Sequence, residues 1–559
     1  MSRLLFLHIV MIVGCFVHPL PVIFGQTFHE DFSIWPVDLR INGTVMVCSE
    51  AAPKSSLVNL FLARGGGDNG KFVVVRFDQT AGGSEFRELL SRQDGLVEFG
   101  YEENSLSNAS EAIKKAIRAA RGVLLLSSED LNRKTRRTLL DLEIELHKKV
   151  ADGGVVFGVG PVASYFGKFH HAAIEEVSSF AKGLNLIPDT IVYTNYSDKS
   201  DRPSLNSAIS YESQCVAVGI PSRTGMVLRG RKIRVYGDGK TTFVIAANDR
   251  EPFRVKHLAD TTGKRASPYD SVVDLTAWRR DAIDRQLPVF PPAKPLQPNV
   301  ENGTLFIVGG GGMPKGMMNE FVELAGGKDA KMVYVPCTES ETVSSNQWII
   351  RQWQEMGVAS AKVFHTKNRI KANTDNVFLE PVREATGIWF GGGRQWNFVD
   401  SYYGTKAHEL MKDVLKRGGV IGGSSAGASV QGDYLARANP VANFDIMAPG
   451  YERGLGFING VAIDQHFSQR GRQRDMTQLA NRYPQLLGIG IDETTAIKVR
   501  GTVAEVLGKG KVFFYDRTKP VIPGKDDFVA VPNGHRYNLV ERKIIGAKVE
   551  LNTDSDQQK

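Results

Sequence analysis

Residues 423–427 read Gly-Ser-Ser-Ala-Gly, a G-x-S-x-G set between the apolar run GGVIGG and the helix-like AGASVQGDYLA. Small residues on both flanks let the chain turn sharply and hold the central serine in strained geometry, as a nucleophile elbow requires. The backbone N–H of Ala426 and the start of the helix then stand where an oxyanion would be stabilised. By spacing alone, such a turn serves packing or phosphate binding as readily as catalysis. An attacking serine needs a base, and the base needs an orienting acid. Downstream, GVAIDQHFSQRGRQR (460–474) places His466 just after an apolar stretch, and GIGIDETTAIKV (488–499) places Asp492 and Glu493 at the end of another. A lone histidine after a strand is more often a structural hydrogen-bonder, and an Asp-Glu pair more often a turn. Here all three groups fall at the C-terminal ends of βα strands, where open parallel sheets hold their sites. Gly309-Gly310-Gly311-Gly312, following TLFIV, has no clear distal acid for a dinucleotide loop and reads as a substrate-facing loop or a strand-to-helix turn. No His/Cys/Asp cluster has metal-ligand spacing, so neither metal nor cofactor is expected.

GSSAGA (423–428), DQHFSQRGR (464–472) and GIGIDETTA (488–496) resemble the three signature segments of cyanophycinases, serine peptidases related to the aspartyl dipeptidase peptidase E. GGGRQWNF (391–398) resembles a fourth segment, the glycine-rich turn ending in glutamine beside the nucleophile. The likeness extends over roughly residues 302–520, with the motifs in order. It implies a class I glutamine amidotransferase-like fold, a three-layer α/β/α domain with a mostly parallel sheet. It implies Ser425 as nucleophile (with Ser424 the competitor), His466 as base then acid, and Glu493 as the orienting acid (with Asp492 the competitor). The oxyanion donors would be the N–H groups of Ala426 and of the Gly392–Gly393 turn. Substrate recognition falls to Gln395, Asp464, Gln465, Arg470, Arg472 and Arg474. Arginines clamp carboxylates bidentately and glutamines read amides, which suits a β-linked aspartyl substrate. The family's third arginine sits one residue beyond Arg474, where this chain has Asp475. The implied activity is hydrolysis of β-aspartyl-arginine links in cyanophycin, an aspartate backbone carrying arginines. The alternatives are an isoaspartyl or aspartyl dipeptidase and a secreted, non-catalytic peptide-binding protein.

These motifs lie in the second of two similar halves. Asn42-Gly43-Thr44 answers Asn302-Gly303-Thr304, Gly122-Val123-Leu124-Leu125 answers Gly387-Ile388-Trp389-Phe390, and CVAVGIPSRTG from Cys215 answers LLGIGIDETTA from Leu486. Correspondences that keep their order along a chain mark a repeat. Short apolar runs alternate with helix-like stretches in both halves, the pattern of βα units. GDGKTTFVI and GKGKVFFYD read as second arms of hairpins. The division expected is a leader over 1–25, a first domain over 26–284, a Pro-rich linker over 285–299 and a catalytic domain over 300–559. In this alignment Ser425 meets Gly160, His466 meets Asn195, Glu493 meets Ser222 and Gln395 meets Asp130, while the glycine turn becomes Leu126-Ser127-Ser128. Packing residues are kept and chemistry is lost, so the first half reads as a degenerate copy. It serves either as a fixed pseudo-dimer partner or as a surface that grips polymer, with the basic insertion 250–270 a solvated loop by default.

The remaining features set limits. A net charge of +8 over 559 residues, without a Lys/Arg run or aromatic-basic repeat, gives nucleic-acid binding little support. Arg3, the apolar stretch from Leu4, and Gly25 resemble a secretory signal peptide, with lipidation at Cys15 as a variant. A secreted or periplasmic protein is expected, with an aspartate- and arginine-containing peptide or polymer as partner, no stable membrane span, and a homodimer possible. Cys48, Cys215 and Cys337 are far apart and form no disulfide framework.

Overall fold

A computed structural model describes residues 34–547 except 50–54, 80–94, 101–108 and 175–176. The expected leader over 1–25, with Cys15, lies outside the described residues. Runs such as VVFGV (Val155–Val159) and GVLLL (Gly122–Leu126) are apolar at every position because both faces of the strand are covered. That is the signature of parallel strands flanked by helices. Residues 300–547 build a nine-stranded sheet in the order Ser360–Val363, Lys331–Val335, Gly387–Phe390, Val420–Ser424, Val300–Val308, Thr495–Gly501, Val503–Gly508, His535–Asn538, Lys543–Ala547. The first five strands are mutually parallel and the last four antiparallel. A five-stranded sheet follows the order Gly432–Tyr434, Ile458–Gln465, Leu487–Ile491, Lys511–Tyr515, Val529–Pro532.

Residues 41–274 carry an eight-stranded sheet in the order Leu96–Phe99, Phe72–Arg76, Gly122–Leu126, Val155–Val159, Ile41–Cys48, Thr224–Gly230, Lys232–Gly237, Val273–Asp274. It too has five parallel strands followed by antiparallel ones. A six-stranded sheet contains Phe169–Ile174, Thr190–Thr194, Val216–Ile220, Lys240–Ile245 and Arg254–Ala259, with Val177–Lys182 on its edge.

Three expectations are corrected. The sheets are mixed rather than mostly parallel, because the segments after Thr224 and Thr495 return as tight hairpins instead of through helices. Lys511–Tyr515 does not pair with the preceding Val503–Gly508. The chain changes sheet at Gly508-Lys509-Gly510, and Lys511–Tyr515 joins Leu487–Ile491. At Gly508 (φ +107) an added Cβ would lie 2.1 Å from the Thr494 carbonyl oxygen, so glycine is required at this crossing. Within the insertion 250–270, Arg254–Ala259 is a strand paired with Lys240–Ile245, and Pro268–Ser271 is a helical turn capped by Ser267.

The Pro-rich stretch 285–299 runs along the second half. Its carbonyls accept hydrogen bonds from Arg453 (Pro288) and Gln485 (Pro291, Pro292). The core of the second half also takes in Trp35 and Ile283. Among the described residues no helix is long and apolar enough to cross a membrane.

Candidate active site

Three strand ends converge. Val420–Ser424 lies between Gly387–Phe390 and Val300–Val308, and Ser425 follows it directly. Ser425 has φ +59 and ψ −114, and its N–H donates to the Val308 carbonyl at 3.0 Å. The flanking glycines permit this turn: a Cβ on Gly423 would stand 2.3 Å from the Gly427 carbonyl oxygen, and one on Gly427 2.1 Å from that of Phe390. The elbow is therefore a steric consequence of G-x-S-x-G, as the sequence pattern anticipates.

His466 follows the strand Ile458–Gln465 with φ +51, its N–H tied to the Gly309 carbonyl at 2.8 Å. Its Nε2 is 2.8 Å from Ser425 Oγ and its Nδ1 is 2.6 Å from Glu493 Oε1. Asp492 is engaged elsewhere: Oδ1 accepts from the Ser468 N–H and hydroxyl, and Oδ2 from the Lys511 N–H. Of the adjacent acids, Glu493 is the one on the imidazole. A hydroxyl, an imidazole and a carboxylate in one line can move the serine proton to Nε2 and stabilise the imidazolium that results.

The glycine run 309–312 is the bed on which this line rests. Cβ atoms added at Gly310 (φ +100) and Gly311 (φ +67) would lie 2.3 Å from His466 Cε1 and 2.6 Å from Glu493 Oε2. The Gly310 carbonyl also accepts from the Thr494 N–H. Burial, only partly opposed by the Glu493 hydrogen bond and reinforced by the Arg470 and Arg472 charges, holds His466 below the ordinary histidine range. A base works as neutral imidazole, and a lowered pKa keeps it neutral to lower pH. The acid limb of kcat/KM is therefore expected to rise through a midpoint below about 6.5 and to be flat at neutrality. A pH–rate profile with that limb centred above pH ~7 would contradict the assignment.

Residues 305–507 match peptidase family S51. A cyanophycinase from Geminocystis herdmanii is 32% identical over 205 residues, 36% of this chain and 75% of that protein. The chain belongs to peptidase family S51. A cyanophycinase from Trichormus variabilis is 27% identical over 252 residues, 41% of this chain and 83% of that protein. A solved peptidase structure from an acI-B1 actinobacterium is 21% identical and covers 43% of this chain and 98% of its own, with a TM-score of 0.33.

The other residues singled out in this S51 chain divide by position. Gly392 packs against Ser425, where an added Cβ would be 3.5 Å from Ser425 Cβ. Gly393 (φ +149) lies against Cys337, whose carbonyl oxygen an added Cβ would approach to 2.7 Å. Ala426 is the first residue of the helical turn Ala426–Ser429. Gln395 is buried, and its Nε2 donates to the carbonyls of Ala436 (2.6 Å) and Arg437 (2.9 Å). Both amide hydrogens are thus committed, leaving Oε1 with acceptor capacity. Arg470 and Arg474 are exposed.

Asp464 is fully buried, and its oxygens accept from Arg437 Nε, Arg472 Nη1 and the Gln465 N–H. It holds arginines in place rather than facing a ligand. Arg472 is buried as well, its Nη1 shared among Asp464, the Gln465 carbonyl and Gln465 Oε1. Burial, with Arg437 and Arg470 nearby, pulls its pKa down despite Asp464.

Arg437 is the residue that sequence reasoning missed. It is buried at φ +57, and besides Asp464 it bonds Asp475 Oδ2 (2.5 Å) and the Phe444 carbonyl (3.0 Å). Burial alone would lower its pKa, but Asp464 and Asp475 more than offset that and raise it. Asp475 was the one visible signal: a carboxylate where an arginine is expected has found a cation, 38 residues away.

Proposed function

We propose that this chain is an exported serine exopeptidase that acts on cyanophycin through an acyl-enzyme on Ser425. The bond cut is the amide of the aspartate backbone, so that β-Asp-Arg dipeptides leave with their β-aspartyl-arginine link intact. The observation that carries the reading is the unbroken Ser425–His466–Glu493 line at the ends of three strands. The cyanophycinases among its relatives supply the substrate class. In this mechanism His466 takes the Ser425 proton as Oγ attacks the scissile carbonyl carbon, and Glu493 stabilises the imidazolium. The oxyanion faces the Ala426 and Gly392–Gly393 backbone. His466 then gives its proton to the departing amine. Water, deprotonated by the same imidazole, releases the acid and restores Ser425. Arg470 offers the accessible guanidinium for a substrate carboxylate, Gln395 Oε1 accepts from a substrate N–H, and Arg472 acts from behind Gln465.

The first half, 26–284, we read as a non-catalytic copy of the second, 300–559. The matching strand orders support this, as does the backbone at the aligned positions: Gly160 and Ser425, Asn195 and His466, Arg223 and Thr494 all have positive φ. Ser222 Oγ donates to Asn195 Oδ1 at 3.3 Å where Glu493 meets His466. The turns persist without nucleophile, base or acid. One observation favours an isoaspartyl or aspartyl dipeptidase instead: Asp475 is consumed by Arg437, which alters the arginine set around the substrate.

The purified chain is expected to release soluble β-Asp-Arg from insoluble cyanophycin, followed by chromatography. Hydrolysis of β-Asp-Leu without release from cyanophycin would move the reading to the dipeptidase. No hydrolysis of either, with no labelling by a serine-reactive phosphonate, would leave a peptide-binding protein.

A further inference from the structure

The helix Trp396–Tyr402 begins where the Gly391–Gly393 turn and Gln395 end, so its placement sets theirs. It is buried along its whole length, and its Asp400 carboxylate is met by residues of the other half of the chain. Arg231, at the tip of the hairpin Thr224–Gly230/Lys232–Gly237, forks onto Asp274 (Nε–Oδ2 2.6 Å, Nη2–Oδ1 2.9 Å). That fork fixes the guanidinium plane, and Nη1 reaches Asp400 Oδ2 at 2.5 Å. Arg231 Nη2 also reaches Tyr451 Oη, which donates to Asp400 Oδ1 at 2.7 Å. The same guanidinium stacks 4.3 Å from the Trp396 ring centroid.

A second cation from the first half, Arg280, donates to the Gly450 carbonyl at 2.9 Å and lies over the rings of Trp35 and Tyr451. Gly450 is pressed so closely on the helix Leu275–Asp284 that an added Cβ would meet Asp281 N at 2.6 Å. The segment running back from Gly450 to Ala436 supplies the carbonyls that hold the Gln395 amide. Tyr269 of the first half stands beside Asp445 on the same segment, its phenol pushed up to about 12 by burial and that carboxylate. Both walls around Gln395 are thus braced from the half that has no nucleophile.

Buried ion clusters add little net stability compared with apolar packing of the same volume. Their hydrogen bonds are directional, however, and set geometry. Asp400 lies five residues from Gln395, about 7.5 Å along the helix, too short a lever to absorb a shift. We propose that Arg231 is a positioning residue for hydrolysis. Through Asp400 and Tyr451 it holds the helix Trp396–Tyr402 and the segment 436–451, and thereby the Gly392–Gly393 turn and the Gln395 carboxamide over Ser425. This rests on the serine-peptidase reading above.

The test compares Arg231→Met and Tyr451→Phe with a control, Arg453→Met. Arg453 also ties the halves together, through Asp284 (2.6 Å) and the Pro288 carbonyl, but not through Asp400. Turnover is measured per active site titrated with a serine-reactive phosphonate, alongside KM and melting temperature. A misplacement of about 1 Å costs roughly 10²-fold in rate. Arg231→Met is therefore expected to lower kcat per titrated site by about that factor, and Tyr451→Phe by ~10-fold, with phosphonylation slowed in parallel and KM changed less than ~3-fold. Arg453→Met is expected to lower the melting temperature and leave kcat per site unchanged. A merely structural role would reduce the titratable fraction but not turnover per site. Should Arg231→Met not fold, Tyr451→Phe decides. Retention of kcat per site within about twofold in the folded variants overturns the inference while the parent remains a serine peptidase. A parent that takes no phosphonate overturns the serine-peptidase reading, and the inference with it.

Discussion

Ser425→Ala is expected to abolish peptide hydrolysis and phosphonate labelling while the melting temperature stays within a few degrees of the parent. Removing Oγ deletes the atom that would form the acyl bond, and nothing nearby replaces it. Ser424 ends the strand, paired with Val308, whereas Ser425 alone has the 2.8 Å contact with His466 Nε2. Loss of a nucleophile in a Ser-His-acid set costs on the order of 10⁶ in kcat, the residue of catalysis coming from the oxyanion donors and binding. The backbone at position 425 already has positive φ in the parent, and alanine meets the same steric cost there as serine. Folding is therefore spared while chemistry is lost. Ser424→Ala is expected to keep turnover within about tenfold of the parent. The assignment fails if Ser425→Ala keeps more than about 1% of the parent rate, or if Ser424→Ala is the silent one.

The second large effect is expected at a residue that carries no functional group. A methyl group at Gly310 would sit 2.3 Å from His466 Cε1 and 2.6 Å from Nε2, the atom that faces Ser425. Real Cβ atoms do not come so close, so the imidazole must swing away by more than the tolerance of a 2.8 Å hydrogen bond. Gly310→Ala is expected to lower kcat by at least ~10², with a smaller change in KM, because the base is displaced and the recognition residues are not. The φ of +100 adds a backbone cost of about 1–3 kcal/mol. A folded Gly310→Ala protein with kcat within threefold of the parent would show that the run 309–312 does not seat the base.

Much of the site was legible because its parts are local. An elbow needs small residues at fixed offsets around one serine, and Gly423, Ser425 and Gly427 carry that geometry within five positions. His466 and Glu493 were legible for a related reason: each stands within two residues of the end of a short apolar strand, and the parallel pair Ile458–Gln465 and Leu487–Ile491 brings both ends together. The repeated apolar runs likewise announced βα units, since a strand covered on both faces must be apolar throughout. The hairpins after Thr224 and Thr495 were not anticipated, because TGMVLRG and TAIKVRG read equally as strands of either direction. Direction depends on the length of the connection, not on the strand.

Beyond those local patterns, contact decided. Asp492 and Glu493 are neighbours with the same chemistry, and only the path of the chain between Ser468 and Lys511 turns one inward to the backbone and the other to the imidazole. The glycine run 309–312 reads as a turn until His466, more than 150 residues away, is laid on it. Arg437 has no periodicity or motif around it, and its value lies in Asp464 and Asp475, which approach from another strand and another helix. The brace from Arg231 to Asp400 joins residues 169 positions apart. By itself the sequence determined the tight turn at Ser425, the order of the candidate residues along the chain and the alternation of elements, because turn sterics and burial act within a few residues. Only the tertiary structure decided which acid meets the His466 imidazole, what packs beneath it, and which buried charges pair around Asp400 and Asp464. Those depend on pairings between buried groups that the chain brings together only once it has folded.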